Sequence, residues 1–460
     1  MQRLMLLSLL IISTLAYGQQ PQLIGTAEPG FEVGDTEISF VGDTMLIRLM
    51  SNHKDPQQQA AWYDTNGKIS DVDMSSFGNA NVMGIVPRSD TLFYYLSKDG
   101  KENQITVFTS VGLNAVKEGA SIATAGPAIR GFKRGENFLV ITWEQKNQIV
   151  HFYTLRGNHL IADQQLQLDK ELLKFSANDI AFPVAGEPGR ISVMKTTLRF
   201  FLNGDTFAAV YDMPGSLYPQ EVAKYKTRVV RFNLLTGKQS DQSMFSYKTF
   251  AFKSFLLGSN RLYRLAISKD SCKINIHDLD NRAKVIGSYP MIVPGKEPVA
   301  VNRHGSEHTI EHQWMFDMSG FRAKPNFDVG IMVDEYNDQQ IISVGVINNS
   351  KGGTFGPGSG MPLASIISAI AATSMMQLKD DPNNIKYMYL RGIPAAGYKV
   401  AKSEELGDFF KGRFDNFEFD SQKEGKVDYM AHFTNSHYGI SVTSYKNSSQ
   451  YRITKFPLQP

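Results

Sequence analysis

Apolar and polar positions alternate along short segments of this chain, and turn-forming residues separate these segments at short intervals. The alternating or continuously apolar segments are rich in β-branched and aromatic residues, and they include 91–96, 138–143, 227–232, 261–267 and 440–445. A period of two is typical of β-strands, and the Asn-Gly and Asp-Gly pairs between them suit tight hairpins. The pattern predicts an all-β protein, with helical periodicity confined to one segment.

A short sequence pattern recurs along the chain, in which a small polar turn precedes a hydrophobic strand. The turns contain Asp43, Asp90, Glu136, Asp205 and Ser259. The first two intervals fit the period of about 40 to 50 residues of a four-stranded propeller blade. Further units are expected at 327–347 and 427–445. The sequence therefore predicts a β-propeller-like fold of about six to seven blades, and a pair of β-sandwich domains is the alternative.

A second short sequence pattern recurs at the end of the later strand of each unit, where an aromatic residue or His is followed by a polar turn. Its clearest copy is Val-Arg-Phe-Asn-Leu-Leu-Thr-Gly-Lys at 230–238. This stretch resembles the strand and turn of bacterial extracytoplasmic β-propeller proteins with quinoprotein-like repeats. The resemblance implies a propeller fold and is carried by one turn in each repeat.

The N-terminus has the features of a secretory signal peptide. Arg3 precedes an almost unbroken apolar run at 4–16, and Ala16 and Gly18 are small residues at the positions that a signal peptidase requires. We expect residues 1–18 to be removed, so that the mature chain starts at Gln19 in the periplasm or outside the cell. A membrane anchor is the alternative, although the run is short for a membrane span.

Cysteine content and charge exclude some functions. Cys272 is the only cysteine, so an intramolecular disulfide cannot form. We expect Cys272 to be a half-buried strand residue, and a thiol activated by the neighbouring lysines is the alternative. The formal net charge is +3, without a block of like charges, so nucleic-acid binding is not expected.

One segment interrupts the β pattern. Residues 351–360 are rich in glycine, and residues 361–378 place apolar side chains at helical spacing after Pro362, a residue that suits a first helical turn. We predict β-propeller-like repeats at 19–350, a Gly-rich linker and helical insertion at 351–410, and a final β repeat at 411–460 that closes the propeller. The helix at 361–378 is expected to pack on the propeller, and peripheral contact with a membrane or a partner is the alternative.

Two motifs look like catalytic or cofactor-binding signatures. His308, Glu311 and His312 match a His-x-x-Glu-His zinc signature that requires a helix, but the neighbouring residues 313–317 have a strand pattern, which would turn Glu311 away from both histidines. The glycines of 352–360 lack the Gly-Lys-Ser/Thr ending of a phosphate loop, and Pro357 excludes Ser359 as a nucleophile elbow. We expect no metal and no cofactor.

Carboxylates are the remaining candidates for chemistry. Asp328, Asp334 and Glu335 are candidate acids for a glycosidase of the propeller type, which uses paired carboxylates. Asp43 and Asp90 lie in Asp-Thr-Met and Asp-Thr-Leu sequences that resemble acceptor sites for bacterial O-glycosylation, but the repeat already explains them as turns. No catalytic residue is assigned.

These observations favour a secreted or periplasmic β-propeller-like binding or assembly protein. Its partner would be a protein or a glycan, because aromatic-rich repeats present a ligand surface on their loops. The alternative is a propeller glycoside hydrolase that acts on extracellular glycan. Two or three carboxylates within about 10 Å of one another at one mouth of the channel would favour hydrolysis.

Overall fold

The computed structural model describes most of the β-rich repeats but not several of the segments that connect their strands. The described residues are 21–51, 57–78, 80–97, 103–113, 116–168, 180–183, 198–214, 223–249, 251–267, 272–290, 327–336, 338–348, 385–394, 396–401, 425, 427–434 and 438–457. Strands dominate them, and the single helical element is a 3-10 turn at Ser75–Phe77.

The strands of the first half of the chain form a leading strand and three complete sheets. Strand β1 (Gln22–Ala27) comes first. Sheet 1 contains β2 (Val33–Val41), β3 (Thr44–Ser51), β4 (Gln58–Asp64) and β5 (Gly67–Val72). Sheet 2 contains β6 (Asn81–Arg88), β7 (Thr91–Ser97), β8 (Gln104–Val111) and β9 (Val116–Ala123). Sheet 3 contains β10 (Ala128–Arg134), β11 (Asn137–Glu144), β12 (Ile149–Arg156) and β13 (His159–Gln167).

The second half forms four further sheets. Sheet 4 contains β14 (Ile180–Ala181), β15 (Leu198–Asn203), β16 (Thr206–Pro214), β17 (Ala223–Asn233) and β18 (Gln239–Thr249). Sheet 5 contains β19 (Ala251–Leu257), β20 (Arg261–Ile267), β21 (Cys272–Asp278) and β22 (Lys284–Pro290). Sheet 6 contains β23 (Phe327–Tyr336), β24 (Gln339–Asn348), β25 (Ile385–Ile393) and β26 (Gly397–Ala401). Sheet 7 contains β27 (Val427–Thr434), β28 (Tyr438–Tyr445) and β29 (Tyr451–Pro457), and β1 completes it.

Consecutive strands pair antiparallel within each sheet, except for β14 and β15 of sheet 4, and this antiparallel order is the meander of a propeller blade. The first strands of neighbouring sheets contact one another: β2 contacts β6 and β27, β6 contacts β10, and β19 contacts β23. Strand β1 pairs antiparallel with β29, so the N-terminal strand completes the sheet of the C-terminal strands. These contacts arrange the sheets around their first strands, and the fold is a β-propeller.

Hydrophobic packing between the sheets explains why the second strands are more buried than the fourth strands. Second strands such as β11 are buried on both faces because a sheet lies on either side, whereas the fourth strand β13 is mostly exposed. Separate clusters join sheets 7 and 1, sheets 1 and 2, sheets 2 and 3, and sheets 3 and 4. Strand β14 pairs parallel with β15 on its inner side, where Phe182 packs on Phe132 of sheet 3.

The recurring polar turns join the first strand of a sheet to the second. Gly42, Gly135, Gly204 and Gly258 have positive φ at these turns, as tight hairpins require. Ser89 takes the same conformation, with φ of 54°, although it has a side chain. The turn-and-strand pattern therefore lies at the connection between the first and second strands of a sheet, as the sequence predicts.

The expected helical insertion at 351–410 differs from the structure. Residues 385–401 form β25 and β26, which pair with β24 and complete sheet 6. The prediction is wrong there because it extends the helical pattern of 361–378 to the residues that follow. Ile385–Ile393 instead contains the aromatic and β-branched residues that are typical of a strand. The predicted helix at 361–378 lies outside the described residues.

Candidate functional site

The two faces of the propeller differ in the connections that they carry. Because consecutive strands are antiparallel, the first and third turns of a sheet lie at one end of its strands, and the second turn and the link to the next sheet lie at the other end. We call the first end the turn face. Its connections are all short, at 42–43, 65–66, 89–90, 112–115, 135–136, 157–158, 204–205, 234–238, 258–260, 279–283, 337–338, 394–396 and 435–437.

We call the opposite end the loop face. Some of its connections are short, such as 145–148 and 250. The long connections at 291–326, 349–384 and 402–426 also leave and re-enter the strands here. These long connections therefore start and end at one face of the molecule.

A buried arginine joins sheets 1 and 2. Arg48, on β3, is 1% exposed. Its Nη1 donates to Glu37 Oε2 at 3.0 Å and to the Ala80 carbonyl at 2.6 Å, its Nη2 donates to the Gly78 carbonyl at 2.8 Å, and its Nε donates to Gln58 Oε1 at 2.9 Å. Every nitrogen of the guanidinium has an acceptor, so this cluster is complete without a ligand.

Two carboxylates on β2 lie beside this arginine. Burial raises the pKa of Glu37 despite the opposing charge of Arg48. Burial, followed by the charge of Glu37, raises the pKa of Asp35 to about 7, against the backbone N–H of Thr36 and the charge of Arg48. The Thr36 hydroxyl is 2.7 Å from the hydroxyl of Tyr429 on β27, so these groups sit where sheet 7 meets sheet 1.

A second buried arginine joins sheets 4 and 5. Arg199, on β15, is 0% exposed, and its Nη2 donates to Asp212 and to the Ser254 hydroxyl, the latter at 3.1 Å. Asp212 also accepts from the Thr227 hydroxyl at 2.7 Å and from the backbone N–H of Ser254 at 3.0 Å. Burial alone would raise the pKa of Asp212, but Arg199, Thr227 and the charge of Lys253 together hold it below its usual range.

Further basic groups surround Asp212. Arg264 is buried, and desolvation lowers its pKa to about 10 while Asp212 opposes that shift. Its Nη1 lies 3.5 Å from His277 Nε2, and His277 Nδ1 donates to the Ala283 carbonyl at 2.9 Å. Burial lowers the pKa of His277, which keeps it neutral at pH 7. The junction of sheets 4 and 5 is therefore a buried polar region with basic character.

The candidate acids of the sequence do not converge. Asp334 is buried on β23, and Glu335, the next residue, is exposed and accepts from Gln340 at 3.0 Å. Asp328 lies on the same strand, roughly 20 Å from Asp334 at the rise of an extended chain. Paired catalytic carboxylates lie about 5 to 9.5 Å apart, so Asp328 and Asp334 are too distant to act as such a pair.

Other predicted features lie partly outside the described residues. Asp43 and Asp90 occupy turns of the turn face, as their repeat predicts. Cys272 is the first residue of β21, in agreement with its expected place in a strand. The candidate zinc motif, the Gly-rich segment with Ser359 and the signal peptide lie outside the described residues: His308, Glu311, His312, 352–360 and 1–18.

Sequence reasoning missed both arginine clusters. The sequence does contain a sign of buried charges, because Arg48 and Arg199 each interrupt an apolar run. The two runs are Leu-Ile-Arg-Leu and Leu-Arg-Phe-Phe. A charge in such a run is either exposed or paired in the interior. Nothing in the local sequence identifies the partners, since Asp212 and Ser254 come from different strands and Ser254 from the next sheet.

The described part of the chain contains neither a cluster of metal ligands nor a helix that could span a membrane. No group of three or more His, Cys, Asp or Glu side chains is arranged there to hold a metal ion. Within the same residues, no helix has the length and hydrophobicity that a membrane span requires.

No protein-family model and no curated protein sequence matches the chain. Among solved structures, it is similar to the β-propeller domain of the Trilobed protease from Pyrococcus furiosus, with 9% identity and a TM-score of 0.39 over 93% of this chain and 99% of that one. It is also similar to the WD40 domain of SCAP from fission yeast, with 8% identity and a TM-score of 0.32 over 97% of both chains. The propeller assignment rests on the sheet topology, and the closer likeness to quinoprotein-like repeats stays a prediction.

Proposed function

We propose that this protein is a seven-bladed, secreted or periplasmic β-propeller that binds a protein or glycan ligand through its loop face. The observation that supports the proposal is that the long connections at 291–326, 349–384 and 402–426 start and end at that face. Insertions in propeller and repeat scaffolds map to the surface that engages partners, while the strands keep that surface in place.

The blade count follows from pairing each sheet with one blade. Seven sheets are present among the described residues, and β1 supplies the fourth strand of sheet 7. Pairing of β1 with β29 would hold the ring closed, because sheet 7 takes strands from both ends of the chain. A closed ring leaves only the short outer strands as sheet edges.

The binding role is tested by attaching the protein from opposite faces. In a Cys272→Ser background, Asp90→Cys places one thiol on the turn face, and Lys146→Cys places one on the loop face, where both native residues are exposed. Each variant is immobilised through its thiol and incubated with the extracytoplasmic fraction of the source organism. Bound proteins and glycans are identified by mass spectrometry.

We expect a ligand to be retained by protein attached through Asp90→Cys and lost when attachment is through Lys146→Cys, because only the second support covers the loop face. Equal retention in both orientations would contradict a binding surface on the loop face.

The extracytoplasmic location rests on the signal-like N-terminus. We expect the protein to appear in the periplasm or the medium with Gln19 as its first residue. N-terminal sequencing of fractionated native protein measures this directly, and a retained residue 1 in the cytoplasmic fraction would contradict it.

A further inference from the structure

The exposed large aliphatic side chains of the described residues share one position in the repeat. Nine Leu, Ile and Val side chains are 40% to 70% exposed, and each of the seven sheets carries at least one of them. All nine lie where the two outer strands of a sheet end at the turn face, and we call them the aliphatic ring. Val111, Leu235 and Ile393 lie in or beside the outer turn. The other six lie near the start of the outermost strand, at Leu23, Ile69, Leu160, Ile161, Val285 and Ile286.

Three members of the aliphatic ring are exposed by the same backbone feature. Ile69, Ile161 and Ile286 are the extra residues of β-bulges in the outermost strands of sheets 1, 3 and 5. Such a residue is left out of the strand pairing, and these three are 44% to 51% exposed. Single exposed aliphatic residues are common on protein surfaces, but the recurrence of one bulge and one residue type at equivalent places indicates a shared role.

The centre of the turn face is polar. The first turns follow the innermost strands, and in sheets 1 to 5 they read Gly-Asp, Ser-Asp, Gly-Glu, Gly-Asp and Gly-Ser-Asn. An interface with another protein has the opposite plan, with an apolar centre and a polar rim. A lipid surface is continuous, so it accepts aliphatic side chains that enter it at separate points around a rim.

Basic side chains accompany the aliphatic ring. Sheets 1 to 5 each place an exposed Lys or Arg at the same end of their outer strands, namely Lys68, Lys117, Arg156, Lys238 and Lys284. Lys68 and Arg156 also form ion pairs with Asp71 and Glu136, but exposed pairs of this kind contribute little. Basic side chains beside apolar ones suit a membrane interface, because their stems contact apolar groups while their charges reach anionic headgroups.

Most acids of the same outer turns are engaged within the chain. Asp64 and Asp278 accept backbone N–H groups of their own turns at 2.6 to 3.0 Å. Asp280 accepts from Nη1 of Arg231 at 2.6 Å. The rim of the turn face therefore offers its basic groups to a partner while these carboxylates already have donors.

We propose that the rim of the turn face binds the surface of a phospholipid membrane. The aliphatic ring enters the lipid, and the neighbouring basic side chains contact anionic headgroups. In this orientation the loop face points away from the membrane and stays open to a ligand.

The test is flotation of the mature chain, which is expected to start at Gln19, with vesicles of phosphatidylcholine and phosphatidylglycerol. We expect binding to these vesicles and weaker binding to vesicles of phosphatidylcholine alone. The triple variant Ile69→Ser, Ile161→Ser and Ile286→Ser should bind about tenfold less or weaker still, because it loses apolar surface that enters the lipid. The control variant Lys146→Ser and Gln165→Ser changes exposed residues away from the turn face and should bind as the wild type does.

A fluorescent label gives a second readout that leaves the three isoleucines in place. In the Cys272→Ser background, a polarity-sensitive dye on Leu235→Cys should shift to shorter wavelength when anionic vesicles are added, and the same dye on Lys146→Cys should not. Absent flotation, flotation that the triple variant retains, equal binding to neutral vesicles, or equal shifts of the two dyes would each overturn the proposal. A face-to-face dimer without vesicle binding, seen by sedimentation, would also overturn it and assign the turn face to a second copy.

Discussion

Two buried arginines occupy similar places in this propeller and meet different surroundings. In sheet 1 the acid, Glu37, is on the first strand and Arg48 is on the second, whereas in sheet 4 Arg199 is on the first strand and Asp212 is on the second. Each pair also contacts the next sheet. All three nitrogens of Arg48 are paired, and only one nitrogen of Arg199 is paired.

The connection between the sheets explains this difference. Residues 73–80 link sheets 1 and 2, and Gly78 and Ala80, which follow the 3-10 turn Ser75–Phe77, accept from Arg48 with their carbonyls. Residue 250 alone links sheets 4 and 5, so no comparable stretch of backbone is available to Arg199. In sheet 1 the neighbouring loop therefore supplies acceptors that complete the pairing of the buried charge, and sheet 4 has no such loop.

Removal of the two arginines should have unequal effects on stability. Arg48→Met leaves Glu37 buried without its partner and should lower the free energy of unfolding by about 3 to 5 kcal/mol. Arg199→Met should cost less, about 3 kcal/mol, because Asp212 keeps Thr227 and Ser254. Urea unfolding of both variants measures the difference. A larger loss for Arg199→Met would contradict the view that sheet 1 holds the more complete cluster.

The two clusters should also respond to pH in opposite directions. Asp35 has a folded pKa of about 7 and an ordinary value of 3.8, so folding takes up a proton between these pH values. Its contribution to stability is full below pH 3.8 and is lost as the pH rises to about 7, by at most about 4 kcal/mol. Asp212 has a lowered pKa, so its contribution is present above pH 3.8 and is lost as the pH falls.

The pH dependence is measured by urea unfolding between pH 3 and 8 for the wild type, Asp35→Asn and Asp212→Asn. Asp35→Asn should reduce the loss of stability towards pH 7, of which Glu37 keeps a part, and Asp212→Asn should reduce the loss in acid. Identical pH profiles for the wild type and Asp35→Asn would show that Asp35 ionises normally in the folded protein.

A smaller effect is expected from a single hydroxyl of the second cluster. Thr227→Val removes the 2.7 Å hydrogen bond to Asp212 while it conserves shape, and should cost about 1.5 to 3 kcal/mol. Thr227→Ser keeps the hydroxyl and serves as the control, with a smaller loss. Equal losses in the two variants would assign the effect to packing instead of the hydrogen bond.

The sequence predicts the architecture well where local rules decide it. The turns at Gly42, Gly135, Gly204 and Gly258 need positive φ, and their spacing gives the repeat. The pairing of β1 with β29 could not be predicted in the same way, because it joins the two ends of the chain and has no local signature. The strands at 385–401 were missed because a long connection separates them from the rest of their sheet.

The partners within the charged clusters could not be predicted from the sequence for a related reason. The position of Arg199 in an apolar strand indicates burial, but its acceptors depend on which strand of the next sheet lies opposite. The candidate acids show the converse: Asp328, Asp334 and Glu335 are close in sequence, but the extended strand puts Asp328 far along the chain from Asp334 and turns Glu335 to the face opposite Asp334.

The most direct measurement is a crystal structure of the full chain, which shows the surroundings of both arginines. All three nitrogens of the Arg48 guanidinium should be paired with Glu37, Gln58 and the carbonyls of Gly78 and Ala80, and Nη2 should be the only guanidinium nitrogen of Arg199 that the chain itself pairs. A side chain or carbonyl of the chain bonded to Arg199 Nε or Nη1, or an unpaired guanidinium at Arg48, would contradict the account.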